Sequence, residues 1–390
     1  MKLLYLTFQE DAPLYLGVTR KIAGQARAFE KLGFDVTYTL WGGGSFRFYS
    51  GGKTEEVKIT SSRKMMKTFE SIAENYISKH AFDVIYFRLD RISFGVINLC
   101  RFAKNNGTGH VIIEIPNYPY LKDYIRNIKN VKPFKRRAVN AAKVLATAAG
   151  DRLSGLFLRK AADAAVLIGD KAESFFGVRA VNINNGINAE EFSCVKRKDS
   201  GGIVMVGVAG TLWWQAYDRV LEGMCEYKKN KACGAPDIHF TLVGGDEKEM
   251  PAFWEQVKKY GLQDDVDCPG FKSGAELKSI YSEADVGISS LGCYRRGLKY
   301  CSSLKAREYC AAGLPFVYAY EDDDLNGDLP FALKFPNDPT PIDIDKVAAL
   351  VSACRADPLI CMAEKEFARS HYDWVPIMER VLAFAGININ

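Results

Sequence analysis

An α/β fold of two Rossmann-like, doubly wound domains facing across a cleft is predicted by three observations. The chain is 390 residues long with 48% apolar and 25% charged residues, ordinary globular values that at roughly 100–200 residues per domain suggest two cores. Short β-rich runs alternate with amphipathic helical stretches throughout. One polar, charged segment, Ser193 to Gly202, interrupts that alternation and reads as an interdomain linker.

Residues 1–8 (MKLLYLTF) form the first expected strand, and Gly17 opens a helix that stops at Gly33. Further strands are expected at FDVTYTL from Phe34, DVIYFR from Asp83, HVIIEI from His110, AAVLIG from Ala164 and AVNINNG from Ala180. The second series begins with GIVMVGVAG at Gly202. It continues with HFTLVGG from His239, DVDCPGF from Asp265, ADVGISS from Ala284 and PFVYAY from Pro315. The expected domains are 1–192 and 203–372, joined by a linker at 193–202. A last helix from Trp374, within 373–390, crosses back to the first domain. Ligands of open parallel sheets sit at the carboxyl ends of the strands, so a ligand is expected in the interdomain cleft.

Composition excludes several classes. A net charge of +5 is too small to imply nucleic acid as a partner. The start, MKLLYLTFQEDAPLY, lacks the pattern of a signal peptide, and no run approaches the ~18 apolar residues of a membrane span. A cytoplasmic protein is therefore expected. Ten cysteines form no C-x-x-C, and four scattered histidines form no H-E-x-x-H. Buried free thiols and no metal are the expectations. Acidic D-x-D triplets at Asp265/Asp267, Asp322/Asp324 and Asp343/Asp345 read as solvated carboxylates. The G-x-G-x-x-G fingerprint follows none of the expected strands, which argues against a dehydrogenase.

The most informative segment runs from Ser302 to Val317. Serines lead into a short helix, Gly313 stops it and Pro315 begins a strand. The serine end presents free backbone N–H groups and the positive end of the helix dipole, a seat for phosphate. Glu308, one turn on, is placed to accept hydrogen bonds from a sugar diol; the alternative is a solvated helix residue.

These features and others in matching order resemble the retaining nucleotide-sugar glycosyltransferases of the GT-B fold, especially bacterial family-four enzymes of capsule and surface polysaccharide synthesis. The resemblance includes Gly17, Lys21-Ile22-Ala23-Gly24-Gln25, Tyr86-Phe87-Arg88, Glu114 to Tyr120, Asn185-Gly186-Ile187-Asn188, Trp214 to Arg219, Leu242-Val243-Gly244, Pro269-Gly270-Phe271 and Lys305 to Pro315. It implies that Glu308 holds the nucleotide ribose and that Ser302, Ser303 and Leu304 cradle the diphosphate. Phe271 falls in the base-binding loop. Tyr300 stands where many relatives have a glutamate that contacts the donor sugar. Gly17, Lys21, Gln215 and Arg219 complete the implied donor set.

Relatives also carry an arginine and a lysine after the first strand of the second domain, where this chain has GVAGTLWWQA. The leaving diphosphate needs another source of positive charge, and Lys305 is the first candidate, with Arg295, Arg296 and Lys299 nearby. Glu114 and Asn117 are candidates for acceptor contact, or else belong to a turn stabilised by Pro116 and Pro119. No metal or other cofactor is expected beyond the nucleotide sugar. The implied activity is hexosyl transfer to a glycan or lipid-linked acceptor. The alternatives are a non-catalytic protein that binds a nucleotide sugar or a partner enzyme, and a nucleotide-sugar epimerase.

Charge is concentrated in one place. Between Lys122 and Lys143 eight basic residues face one acidic residue, Asp123. Residues 120–144 read either as a segment lying on an anionic membrane, at the inner face of the plasma membrane, or as a packed helix pair whose apolar stripe is core.

Overall fold

The computed structural model describes all residues except 13–14, 60–64, 122–133, 195–200, 210–212, 246–247, 249, 326–327 and 390, with 134–138 as backbone only. The chain divides into two compact units: Met1–Asn184 with Trp374–Asn390, and Asn185–Asp373.

In the first unit the order is β1 (Lys2–Thr7), α1 (Leu16–Lys31), β2 (Asp35–Gly42), β3 (Ser45–Ser50), β4 (Lys53–Lys58), α2 (Met65–Lys79), β5 (Val84–Arg88), α3 (Phe94–Asn105), β6 (His110–Tyr118), α4 (Phe134–Gly155), β7 (Ala164–Gly169), β8 (Ser174–Phe175) and β9 (Val178–Asn182). The sheet runs β4-β3-β2-β1-β5-β6-β7-β9-β8, so the order reverses between β1 and β5. Strands β2, β1, β5, β6, β7 and β9 are mutually parallel. Covered on both faces, they read as apolar runs such as VIYFR, all five residues of which are buried. The antiparallel hairpin β3–β4 is an addition to the expected strands, and β4 is an almost wholly exposed edge.

The second unit contains β10 (Ile203–Val208), α5 (Asp218–Asn230), β11 (Ile238–Val243), α6 (Pro251–Lys259), β12 (Val266–Asp267), α7 (Gly274–Glu283), β13 (Val286–Ile288), α8 (Leu304–Ala311), β14 (Phe316–Tyr318), β15 (Ala332–Lys334), α9 (Ile344–Ala356) and α10 (Ile360–His371). Its six strands, β12-β11-β10-β13-β14-β15, are all parallel, and the order reverses between β10 and β13. Apolar clusters cover both faces. The final helix, α11 (Trp374–Phe384), belongs to the first unit, where Trp374, Met378, Val381 and Leu382 join Ile22, Ala26 and Phe29 of α1 in one core.

The boundary falls at Asn184/Asn185, earlier than the expected end of the first domain at 192. Residues 185–189 are tied into the second unit. The Asn185 amide donates to Ser302 Oγ at 2.7 Å, Ile187 N donates to the Tyr372 carbonyl at 2.8 Å, and Ala189 N donates to Asp373 Oδ2 at 3.0 Å. The centre of the expected linker, 195–200, and residues 122–133 of the basic segment 120–144 lie outside the described residues.

Candidate active site

In the second unit the segments after β10 and β13 leave the sheet where its strand order reverses, the place where parallel α/β sheets bind ligands. The first carries Trp213, Trp214 and Gln215; the second leads through a 3-10 turn, Cys293–Arg296, to α8. Gly292 lets them pack: a Cβ there would lie 2.6 Å from the Trp214 carbonyl oxygen and 2.8 Å from Ala216 Cβ. Ala216 itself takes a left-handed φ of 54°. Gln215 is buried, accepting from Ser290 Oγ through Oε1 at 2.7 Å, while its carbonyl accepts from Leu291 N at 2.9 Å.

Helix α8 starts after Ser303, whose side chain makes no capping bond, and ends before Gly313 at φ = 66°. The first-turn N–H groups of any helix lack intrahelical acceptors and carry its positive partial charge. Ser302 is anchored from both sides by Asn185: its Oγ accepts from the Asn185 amide, and its carbonyl accepts from Asn185 Nδ2 at 2.8 Å. Lys305 and Glu308, three apart, share the partly exposed face, while Ala306, Arg307, Tyr309 and Cys310 face inward. Glu308 Oε2 accepts from Tyr281 Oη at 3.2 Å. Burial and the Glu308 charge hold the Tyr281 phenol far above its ordinary pKa, so it remains a donor.

Two cations flank the Trp214 indole: Lys305 Nζ is 5.3 Å and the Arg296 guanidinium 5.4 Å from its centroid. Among the described residues no carboxylate forms a salt bridge with Lys305. Desolvation, only partly offset by Cys301 and Glu308, lowers its pKa to about 8. The result is a partly dehydrated ammonium beside the open end of a helix, arranged to receive an anion.

The remaining sequence candidates fall into two groups. Tyr300 is exposed, its backbone bridged to Glu321 and its ring beneath Lys299 Nζ at 5.5 Å. Phe271 is 68% exposed, on a loop whose Gly270 carbonyl accepts from Gly244 N at 3.0 Å. Leu304 is partly exposed at the start of α8. Arg219, expected at the donor, is instead fully buried. Its guanidinium donates to the carbonyls of Thr340 at 2.6 Å, Leu291 at 2.6 Å and Pro336 at 3.0 Å, which makes it a clamp within the fold. Arg295 is likewise engaged, with Asp218 and with the Trp213 carbonyl.

In the first unit Glu114 and Lys21 are both buried. Glu114 is 0% exposed. Its Oε2 accepts from Tyr86 Oη at 2.6 Å and Gln25 Nε2 at 2.7 Å, and its Oε1 pairs with Arg88. Tyr5 Oη donates to Gln25 Oε1 at 2.6 Å, extending the network. Burial alone would raise the Glu114 pKa, but Arg88, Lys21 and the two hydrogen bonds outweigh it and hold the carboxyl below its ordinary value. Lys21 is buried too, its Nζ 5.7 Å from the Trp374 ring centroid. Both residues, expected at the acceptor and the donor, lie in an internal ion network. Gly17 and Asn117 are both exposed.

Sequence reasoning missed Arg307. It is completely buried, forked onto Asp322 at 2.8 and 3.2 Å, paired with Asp324 at 2.9 Å, bonded to the Asn185 carbonyl at 2.6 Å and stacked on Tyr372 at 4.6 Å. The expectation of solvated carboxylates at Asp322/Asp324 is therefore corrected. Of the ten cysteines, all free, five are buried. Among the described residues no three His, Cys, Asp or Glu side chains gather as a metal site requires.

No family model and no curated protein matches the chain. Solved structures match it over almost its whole length. Sucrose-phosphate synthase from Thermosynechococcus elongatus has a TM-score of 0.61 and 14% identity, with 99% of this chain and 100% of that one covered. The catalytic domain of starch synthase IV from Arabidopsis thaliana, bound to ADP and acarbose, has 0.59 and 10%, covering 99% and 98%. Anabaena HepE in complex with UDP has 0.57 and 12%, covering 99% and 100%. At 10–14% identity these likenesses establish the fold: the chain has the α/β fold of GT-B glycosyltransferases, with two parallel-sheet units.

Proposed function

We propose that the protein is a retaining, metal-independent glycosyltransferase that takes a nucleoside-diphosphate sugar on its second unit and transfers the sugar to a glycan or lipid-linked acceptor in surface polysaccharide synthesis. The observation that carries this reading is the start of α8, where Ser302, Ser303, Lys305, Arg296 and Trp214 form an anion seat one turn from Glu308. The diphosphate lies at the helix N-terminus with Lys305 and Arg296 beside it, and the ribose hydroxyls donate to Glu308. Support comes also from fold neighbours solved with UDP, with UDP-glucose and with ADP.

In the reaction the bond from the anomeric carbon to the diphosphate breaks and a bond to the acceptor oxygen forms on the same face. The acceptor proton passes to the departing phosphate. Negative charge grows on the diphosphate in the transition state, and Lys305 with the helix N-terminus stabilises it there. The protein acts in the cytoplasm, peripheral to the membrane that carries its acceptor.

A thermal-shift screen against uridine, guanosine and adenosine diphosphates, followed by assay of nucleotide release from the sugars of the binder, tests the reading. Release that persists in EDTA and yields a product with the donor's anomeric configuration is expected. Binding without turnover would turn the assignment to a non-catalytic nucleotide-sugar protein. Absence of binding to all three would overturn it.

A further inference from the structure

Helix α4 presents its apolar side outward. A surface helix ordinarily buries an apolar stripe and exposes charge. Along α4 the exposed positions include Val139, Ala142, Leu145, Ala146, Ala149 and Leu153, at three- and four-residue spacing, and the stripe continues into Leu156 and Phe157. Asp151 and Ser154 face inward instead. Leu145 is 71% and Leu156 76% exposed. Phe94, the first residue of α3, adds a second exposed ring 6.2 Å from that of Phe157. Among the described residues, six of the thirteen large exposed apolar side chains thus come from two neighbouring stretches of the first unit.

Along residues 139–160 the exposed charges have one sign, while the Glu70 carboxylate packs against Gly95 beside Phe94. Lys143, Arg152, Arg159 and Lys160 are exposed, and the Arg101 guanidinium sits 5.3 Å from the Phe157 ring centroid. Between residues 139 and 160 the one acidic residue is Asp151, buried and engaged with Arg91 and Tyr120. Leucine and phenylalanine side chains bordered by exposed lysine and arginine match the boundary between acyl chains and anionic headgroups. Alanines between the leucines keep the apolar layer thin, as suits a helix lying in that boundary rather than crossing it. No helix among the described residues is long and apolar enough to cross a membrane.

We propose that this face of α3 and α4 docks on an anionic lipid bilayer. The proposal deepens the lipid-linked acceptor reading, but its test measures partitioning and not turnover, so the two can fail separately. The full chain is sedimented with vesicles of phosphatidylcholine alone and of phosphatidylcholine mixed with phosphatidylglycerol. Binding to the mixed vesicles, weakened by salt, is expected. The double variant Leu156→Glu/Phe157→Glu lowers partitioning at least about tenfold, and Leu145→Glu lowers it by less. Arg152→Glu/Lys160→Glu removes the preference for the anionic lipid. The thermal midpoint of Leu145→Glu stays unchanged, since that side chain is mostly exposed. No binding to mixed vesicles at low salt overturns the proposal, as does equal binding by all variants. A dimer in light scattering that Leu156→Glu dissociates overturns it too, assigning the face to a second copy of the chain.

Discussion

Both units gather charge near the carboxyl ends of parallel strands, and they treat it in opposite ways. Around Glu114 each carboxylate oxygen has a protein donor, Arg88 and Lys21 supply the countercharge, and the group is sealed from water. At α8 the ammonium of Lys305 meets an indole and the positive end of a helix, with burial pulling its pKa down. The first cluster is complete without a ligand. The second gathers positive potential in a partly dehydrated place, with no carboxylate in a salt bridge to Lys305 among the described residues. Arg307, two residues from Lys305, belongs with the first kind: same helix, opposite face, and two aspartates in hand. The presence of a buried charge thus says little about function; what matters is whether the protein already balances it.

This contrast can be broken at three points. The largest effect is expected for Arg307→Met, which leaves Asp322 buried without its counterion and should cost about 3–5 kcal/mol of stability, read from denaturant unfolding. A stability within about 0.5 kcal/mol of the parent would remove Arg307 from the matched class.

Lys305→Met should behave in the reverse way. Turnover with a competent donor falls about 10²–10³-fold in kcat/KM. The thermal midpoint rises, because the folded state no longer holds a desolvated ammonium. The sign follows from linkage: the folded pKa of about 8 lies below the ordinary 10.5, so the lysine disfavours folding at neutral pH and that penalty fades as pH rises from 8 to 10.5. The stabilisation by Lys305→Met should shrink over the same window. In the parent, kcat/KM for donor should decline as pH rises through about 8, and this limb should vanish in the variant. An unchanged kcat/KM would sink the anion-seat assignment.

The smallest effect is expected for Gly292→Ala. Its Cβ would meet the backbone of Trp214, displacing the ring between Arg296 and Lys305. A rise of about tenfold in donor KM with a smaller change in kcat is expected from such misplacement. Steady-state kinetics that leave KM untouched would show that Trp214 does not position the cations.

Much of this was legible in the sequence. The buried parallel strands announce themselves as apolar runs, and the Ser302–Gly313 signals mark α8 at both ends. The hairpin β3–β4 escaped because its edge strand alternates little and carries mostly polar residues; the two Gly-Gly pairs at 43–44 and 51–52, all with positive φ, were its signal. The burial of Glu114 was also readable in principle. A lone carboxylate inside VIIEI, an otherwise apolar parallel strand, requires internal partners. Which partners they are was not readable: Gln25 and Arg88 stand 89 and 26 residues away. The same holds for Arg307, tied to an asparagine carbonyl 122 positions earlier. Local pattern reveals elements, whereas charge matching is decided by tertiary neighbours.

The exposed strand β4 has a consequence for colloidal behaviour. As the outermost strand of a nine-stranded sheet it offers unpaired backbone groups along one side, the template on which a second molecule's strand can add. Its sequence, KTEEVK, sets two glutamates between terminal lysines along that rim, with Glu56 fixed across the hairpin by Arg47. An incoming strand would have to strip water from those charges before gaining any ladder bond, so the widest sheet in the molecule ends in a margin that resists growth into a fibril.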